Sequence, residues 1–373
     1  MMLKKVLSVI LAVFCIVAVF SGCSDSLSDM SVAQGVGVDK TGDKVKVSVQ
    51  YLDLTKGSGT TDNLGENITS VAFGTAGNIS KAVSRTSANI SSPVFFGQNK
   101  VIVFGDDYAK NGLSNVVDYT LRAVDSRPDV FVAMSKTTAE DVINSSENKA
   151  KVPAQDIYDM LKTGEKTGLS CAVTVKDLQN SFLSETSDVY LPVLSVKDDK
   201  TRLDGIGIFS KGKYVKTLSS AETLGFLLVN NKVKSATVIL NDKKYGKVGM
   251  EITDVKVKNM AFYDNGVNFR SAVSFDINLN DTQKGIAAKL NDEDTERLKK
   301  LAKIKVNTLC RNAVKTCFES KSDPFFAGKL LSRYSYAYYK KHSKNWRNEL
   351  PNVKVSVTVS PKFNLVNGNY TRK

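Results

Sequence analysis

Histidine is nearly absent: His342 stands alone in 373 residues. Any Ser-His-Asp or Cys-His relay, and any histidine metal site, would need that one imidazole. It lies in Lys340-Lys341-His342-Ser343-Lys344, at the basic end of a helix where cations complement the dipole, and reads as a surface residue. Cysteine is scarce too, five in all, and Cys15 and Cys23 belong to the N-terminal leader region. Cys310 and Cys317 are two helical turns apart, roughly 10 Å between Cα atoms, which is too far for a disulfide. They share an apolar stripe with Leu298, Ala302, Val306 and Val314 and read as core thiols, while Cys171 has no partner in sequence. No CxxC pair, GxxxxGK[ST], HExxH or GxSxG occurs. Gly35-Val36-Gly37 fails as a dinucleotide loop, because Lys40 takes the third glycine position and a strand follows where a helix is required. The acidic groups Asp106-Asp107, Asp198-Asp199 and Asp292-Glu293-Asp294 fall at loops or helix starts and read as caps and solvated turns. No catalytic, cofactor-binding or metal-binding residue is therefore expected, and the chain reads as a non-enzyme.

Long apolar runs are equally rare. One extends from Val6 to Phe20, interrupted by Ser8, with Lys4 and Lys5 ahead of it and Ser21-Gly22-Cys23 behind. At about fifteen residues it falls short of the roughly 20 that span a bilayer. A basic start, a short apolar core and small residues at the cut describe a secretory signal. A cysteine directly after the two small residues is where a bacterial lipoprotein is cleaved and acylated. Phe20 departs slightly from the usual Leu, Val or Ile of that motif. The reading is that residues 1–22 are removed, Cys23 carries diacylglyceryl and N-acyl groups, and 23–34 form a tether. Two acyl chains are what stable anchoring needs. The net charge of +14 falls by two when Lys4 and Lys5 leave with the signal. Export excludes nucleic acid as the partner, and the lysines are dispersed, so a basic surface beside anionic lipid is the modest account.

About 350 residues remain, enough for two or three cores. Lys44 to Tyr51 alternates as a half-buried strand, 55–70 is a polar loop, and Ile79 to Ile90 is helical. Val101 to Phe104 and Val130 to Met134 are strands, each followed by a helix. The second of these helices starts at Thr137 or Thr138, with Glu140 completing a capping box. A boundary is expected near 144–151 and another at Asp198-Asp199-Lys200, before a strand over Leu203 to Phe209. Asp264-Asn265-Gly266 turns a hairpin between Ile252–Tyr263 and Val267–Leu279. A long helix follows from about Asp292 to Phe318. Asp323-Pro324 then caps a helix, with Pro at its first position, that holds Tyr334, Tyr338 and Trp346. Val353, Val355, Val357 and Val359 close the chain as a strand. The fold class is α+β or mixed α/β: an elongated chain of two to three domains, each a mixed or antiparallel sheet flanked by helices. The divisions are 35–200, with two subdomains split near 144–151, and 201–373.

The ordered set of Cys23, Gly35-Val36-Gly37-Val38-Asp39-Lys40, Phe95-Phe96-Gly97-Gln98-Asn99-Lys100 and Gly105-Asp106-Asp107-Tyr108-Ala109 resembles the Ger(x)C family. These are the lipoprotein C subunits of spore germinant receptors. The likeness continues through Arg122, Arg127, Leu191-Pro192-Val193, Leu203 to Phe209, Ser322-Asp323-Pro324, Trp346 and the final valine strand, so it covers essentially the mature chain. Ser24 stands where relatives often have tryptophan, and Gln98 where many have histidine. The resemblance implies a protein without catalysis or cofactor on the outer face of the spore inner membrane. It would assemble there with an A subunit and a polytopic B subunit. A substrate-binding lipoprotein of a transporter, or a lipid-anchored cell-wall enzyme, are the alternatives. The first would need a cleft between two similar lobes, and the second a nucleophile or acid working without histidine.

Overall fold

Two sheets of unequal size share one continuous apolar core in the computed structural model, which describes residues 30–53, 68–90, 92–123, 127–145, 152–284 and 290–363. The leader, Cys23, most of the tether, most of the 55–70 loop and the 146–151 stretch lie outside the described residues. Strands β1 (Ser31–Thr41), β2 (Lys44–Leu52) and β3 (Thr69–Ala76) form an antiparallel meander. Ser31 to Gln34, expected as tether, already belong to β1, which starts beside the short β4 (Val94–Phe95). From β1 the sheet continues through parallel neighbours β5 (Val101–Phe104), β6 (Phe131–Ser135) and β7 (Tyr190–Lys197). It ends with antiparallel β8 (Lys200–Ser210) and β9 (Lys213–Thr217). The order is β3-β2-β1-β5-β6-β7-β8-β9.

Parallel strands need crossover helices, and those helices bury both faces of a sheet. Here α1 (Ile79–Ala88), α2 (Asp106–Asn111), α3 (Ser114–Arg122), α4 (Ala139–Asn144), α5 (Pro153–Thr167) and α6 (Val175–Phe182) supply the cover. The period of two divides β5 between two clusters: Val101 and Val103 join Ile143, Ile157 and Leu161 of α4 and α5, while Ile102 and Phe104 join Val116 and Leu178 of α3 and α6. The capping box of α4 uses Thr138 and Asp141, one residue later than the Thr137–Glu140 alternative. Asp198 and Asp199 adopt positive φ (52° and 55°) in the two-residue turn of the β7–β8 hairpin. That expected boundary thus sits inside the first sheet, which extends to Thr217.

The second sheet runs β10 (Ser235–Asp242), β11 (Gly246–Tyr263), β12 (Val267–Thr282), β13 (Lys354–Phe363). The expected hairpin is its centre, with Asn265 and Gly266 at φ 46° and 118°, the left-handed geometry that Asn-Gly tolerates. β13 returns parallel to β12. Helix α8 (Asp292–Glu319) covers one face with the predicted stripe, including buried Cys310 and Cys317. Between the sheets lies α7 (Ser220–Val229), apolar on nearly every side, with Phe226, Leu227, Leu228 and Val229 fully buried.

The region after α8 departs from expectation. Pro324 precedes the helix instead of opening it: Phe326 is the N-cap residue of α9 (Ala327–Tyr334). The chain breaks at Ser335 into α10 (Tyr336–His342) and, after a turn of 3₁₀ helix, α11 (Trp346–Glu349). Ser335 leaves the helical conformation (φ −149°, ψ 56°), and its Oγ accepts the Tyr263 amide at 2.9 Å. Tyr334, Tyr338 and Trp346 therefore do not share one helix.

Candidate functional site

The residues of the Gly-Val-Gly-Val-Asp segment are spent on joining β1 to the helices above it. A Cβ on Gly35 would lie 2.9 Å from that of Ala154, and one on Gly37 would lie 3.2 Å from that of Ala139. Glycine is what lets α4 and α5 rest directly on the strand. Two residues on, Asp39 Oδ1 accepts the Ala139 amide at 2.7 Å and Oδ2 accepts the Glu140 amide at 3.0 Å. A buried carboxylate at a helix N-terminus satisfies donors that would otherwise be orphaned. Burial raises the Asp39 carboxyl above its ordinary value, against the pull of those two amides. Gly105 completes the fit, since a Cβ there would come within 1.9 Å of Asp39 Oδ1. Gln50 performs a parallel task, donating to the Ile143 carbonyl and accepting the Ala154 amide, both at 2.9 Å.

A second cluster fastens the two sheets together. Asp323 is fully buried and accepts the amides of Ala327 (2.9 Å) and Gly328 (2.8 Å) and the indole N–H of Trp346 (2.8 Å). Burial pushes its carboxyl up to about 6, against those three donors. Its own amide donates to Asp188 Oδ2 at 3.0 Å, and the Asp188 amide returns a bond to the Asp323 carbonyl. Asp188, on the approach to β7, pairs with Arg347 of α11 at 2.9 Å. The guanidinium also donates to the carbonyls of Glu185 (2.8 Å) and Ser187 (3.1 Å). Ser322-Asp323-Pro324 and Trp346, quoted above as separate markers, thus meet in one clasp. Asp188 and Arg347 were missed, because nothing local in the sequence links residues 159 apart.

The remaining singled-out residues are engaged structurally. His342 stacks on Tyr338 (ring centroids 4.0 Å) and shares Glu349 with it: His342 Nδ1 lies 2.5 Å from one carboxylate oxygen and Tyr338 Oη 2.8 Å from the other. Burial pushes the Cys171 and Cys310 thiols up to about 12, and that of Cys317 well above its ordinary value. Asp106 pairs with Lys110 in the same helix, Arg122 with Asp118, and Arg127 with Asp129. Asp294 binds Lys244, Tyr245 and Arg297, each at 2.7 Å, and Arg297 also reaches Asp242 at 2.8 Å. Among the described residues, no group of three or more His, Cys, Asp or Glu side chains could hold a metal ion. An apolar cleft of 320 Å³ lies between the first sheet and α1 and α3. A more polar groove of 1120 Å³ runs from Lys136 and Asp204 past Glu222 to β10.

Comparison with known proteins matches this architecture along its length. A family model described as "Spore germination protein N-terminal domain" covers residues 24–196, and one described as "Spore germination B3/ GerAC like, C-terminal" covers 204–364. The two matches leave a gap between residues 196 and 204, while hydrogen bonding carries the first sheet to Thr217. The spore germination protein GerQC of Bacillus cereus is 21% identical over 97% of this chain and 98% of its own length. Spore germination protein KC of Bacillus subtilis is 23% identical over 82% of this chain and 86% of its own. The crystal structure of the GerBC protein superposes with a TM-score of 0.58 at 19% identity, covering 90% of this chain and 98% of the other, and so shares the fold. With both halves matched in order, the chain belongs to the GerAC-like spore germination proteins, the Ger(x)C family.

Proposed function

We propose that this chain is the non-catalytic lipoprotein subunit of a nutrient germinant receptor. It is held through acylated Cys23 on the outer face of the spore inner membrane and assembled with an A-type and a polytopic B-type subunit. The observation that carries the reading is the full-length match to both spore germination domains behind a Lys-apolar-Ser-Gly-Cys23 leader. No helix among the described residues is long and apolar enough to cross a membrane. In this reading the acyl chains on Cys23 provide the attachment. The polar marker segments also favour a scaffold role, since Asp39, Asp323 and Trp346 are committed to capping and clasping. A transporter's binding lobe fits less well: the two sheets differ in strand number and order, so the groove between them does not separate similar lobes. Affinity purification of tagged protein from detergent-solubilised spore inner membrane tests the proposal, run beside Cys23→Ala. Co-purification of a polytopic protein and its A-type partner, weakened in the variant, is expected. Recovery of the protein alone, with Cys23→Ala still on the membrane, refutes it.

A further inference from the structure

Residues 327–348 carry Lys329, Arg333, Lys340, Lys341, Lys344 and Arg347 and not one carboxylate. Arg347 is taken by Asp188, but the other five cations are exposed and have no ion-pair partner among the described residues. Aromatic rings stand among them. Tyr336 is 63% exposed, Tyr334 51%, Phe326 41%, and Tyr263, stacked on Tyr338, 49%. Helix α10 buries no residue at all. Tyr338 and Tyr339 rest half-buried against the core, which leaves Tyr336, Lys340 and Lys341 of the same helix facing outward with no partner among the described residues. Rings with an apolar body and a polar tip, mixed with unpaired cations, suit the headgroup layer of an anionic membrane.

The strand directions place this surface appropriately. β1, β5, β6 and β7 are parallel neighbours, so Ser31 and Tyr190 open strands at the same end of the sheet, about 14 Å apart sideways across three strand spacings, with Ser31 four register positions (about 13 Å) further out. Asp188, just before Tyr190, holds Arg347. Phe326 and Lys329 line a cavity with Ser184 and Ser187 on the same approach. The tether reaches the fold at this end, and eight residues from Cys23 to Ser31 span at most about 28 Å. We infer that the Tyr-Lys surface of α9 and α10 docks on anionic phospholipid headgroups and gives the lobe a second point of attachment. The inference deepens the membrane-anchored reading, yet its test removes the anchor and so does not depend on acylation.

The mature chain with Cys23→Ser is sedimented with phosphatidylcholine vesicles with or without phosphatidylglycerol. Binding that requires phosphatidylglycerol and fades with salt is expected. Reversal by Lys340→Glu, Lys341→Glu and Lys344→Glu should weaken it roughly a hundredfold, from about fivefold for each surface cation lost. Reversing Lys303, Arg311 and Lys315, exposed on α8, should leave most binding intact. Far-ultraviolet circular dichroism verifies that each variant is folded. No binding by the wild-type chain, or equal loss in the α8 variant, overturns the inference. So does unchanged vesicle binding in the α10 variant joined to loss of receptor subunits on purification, which would assign the surface to a protein partner.

Discussion

Arg347→Ala should destabilise the fold by about 3 kcal/mol, because it strands a buried carboxylate. Asp188 is 1% exposed and Arg347 15%, and their ion pair is 2.9 Å long. Breaking such a pair from one side costs about 3–5 kcal/mol, and the low end applies where the remaining charge keeps other donors. Asp188 does keep them, accepting the amides of Lys211 (2.8 Å) and Asp323 (3.0 Å). Asp188→Ala should be of similar size, since it leaves those two amides without their acceptor and the guanidinium without its carboxylate. The two losses overlap, so the double variant should fall short of their sum by about 2 kcal/mol, the coupling typical of one polar network. Urea unfolding of the mature chain gives all three values. The fluorescence of Trp346, the only tryptophan, reports on the clasp itself, and circular dichroism reports on the sheets. A loss below about 1 kcal/mol for Arg347→Ala, within the range of an exposed pair, would refute the clasp, as would additive single variants.

Gly105→Ala should cost about 1–2 kcal/mol although the backbone of Gly105 (φ −67°, ψ 156°) suits any residue, because the added methyl displaces the Asp39 cap. Combining it with Asp39→Ala should cost little more than either alone, and full additivity in urea unfolding would contradict this account. Asp294 gives a pH-dependent outcome. The Lys244 ammonium, then the Tyr245 hydroxyl and Arg297, hold its carboxyl at about 2, below the ordinary 3.8. Between those values the unfolded chain binds the proton first. Stability from this group is therefore full above about pH 4 and lost as pH falls toward 2. The urea midpoint of Asp294→Asn should vary less over that window than that of the wild-type chain, and parallel profiles would count against the interaction.

Local pattern carried much of this fold. Period-two alternation found β2, β12 and β13, Asn265-Gly266 found the central hairpin, and the stripe through Leu298, Val306 and Cys310 found α8. These signals survive because burial on one face repeats along the chain, and a turn's positive φ depends on the residue at that position. The same locality explains the errors. Tyr334 and Tyr338 are spaced as if on one helix, but the helix ends at Ser335, which leaves helical geometry and accepts the Tyr263 amide, 72 residues away. Ser31 to Gln34 look polar enough for a tether, yet parallel pairing of Ser31 and Val32 with β4 and antiparallel pairing of Ala33 with Tyr51 of β2 make the segment strand.

The site divides along the same line. The sequence by itself determined that one histidine serves the whole chain, that a Lys-apolar-Ser-Gly-Cys23 segment precedes the matched domains, and that the family's markers occur in order. It could not say what the markers do. Asp39 caps a helix 100 residues downstream, and Asp188 finds Arg347 across 159. A polar side chain that satisfies a distant donor leaves no periodicity, so only the tertiary structure could bring cap, clasp and the unpaired lysines of α10 into their places.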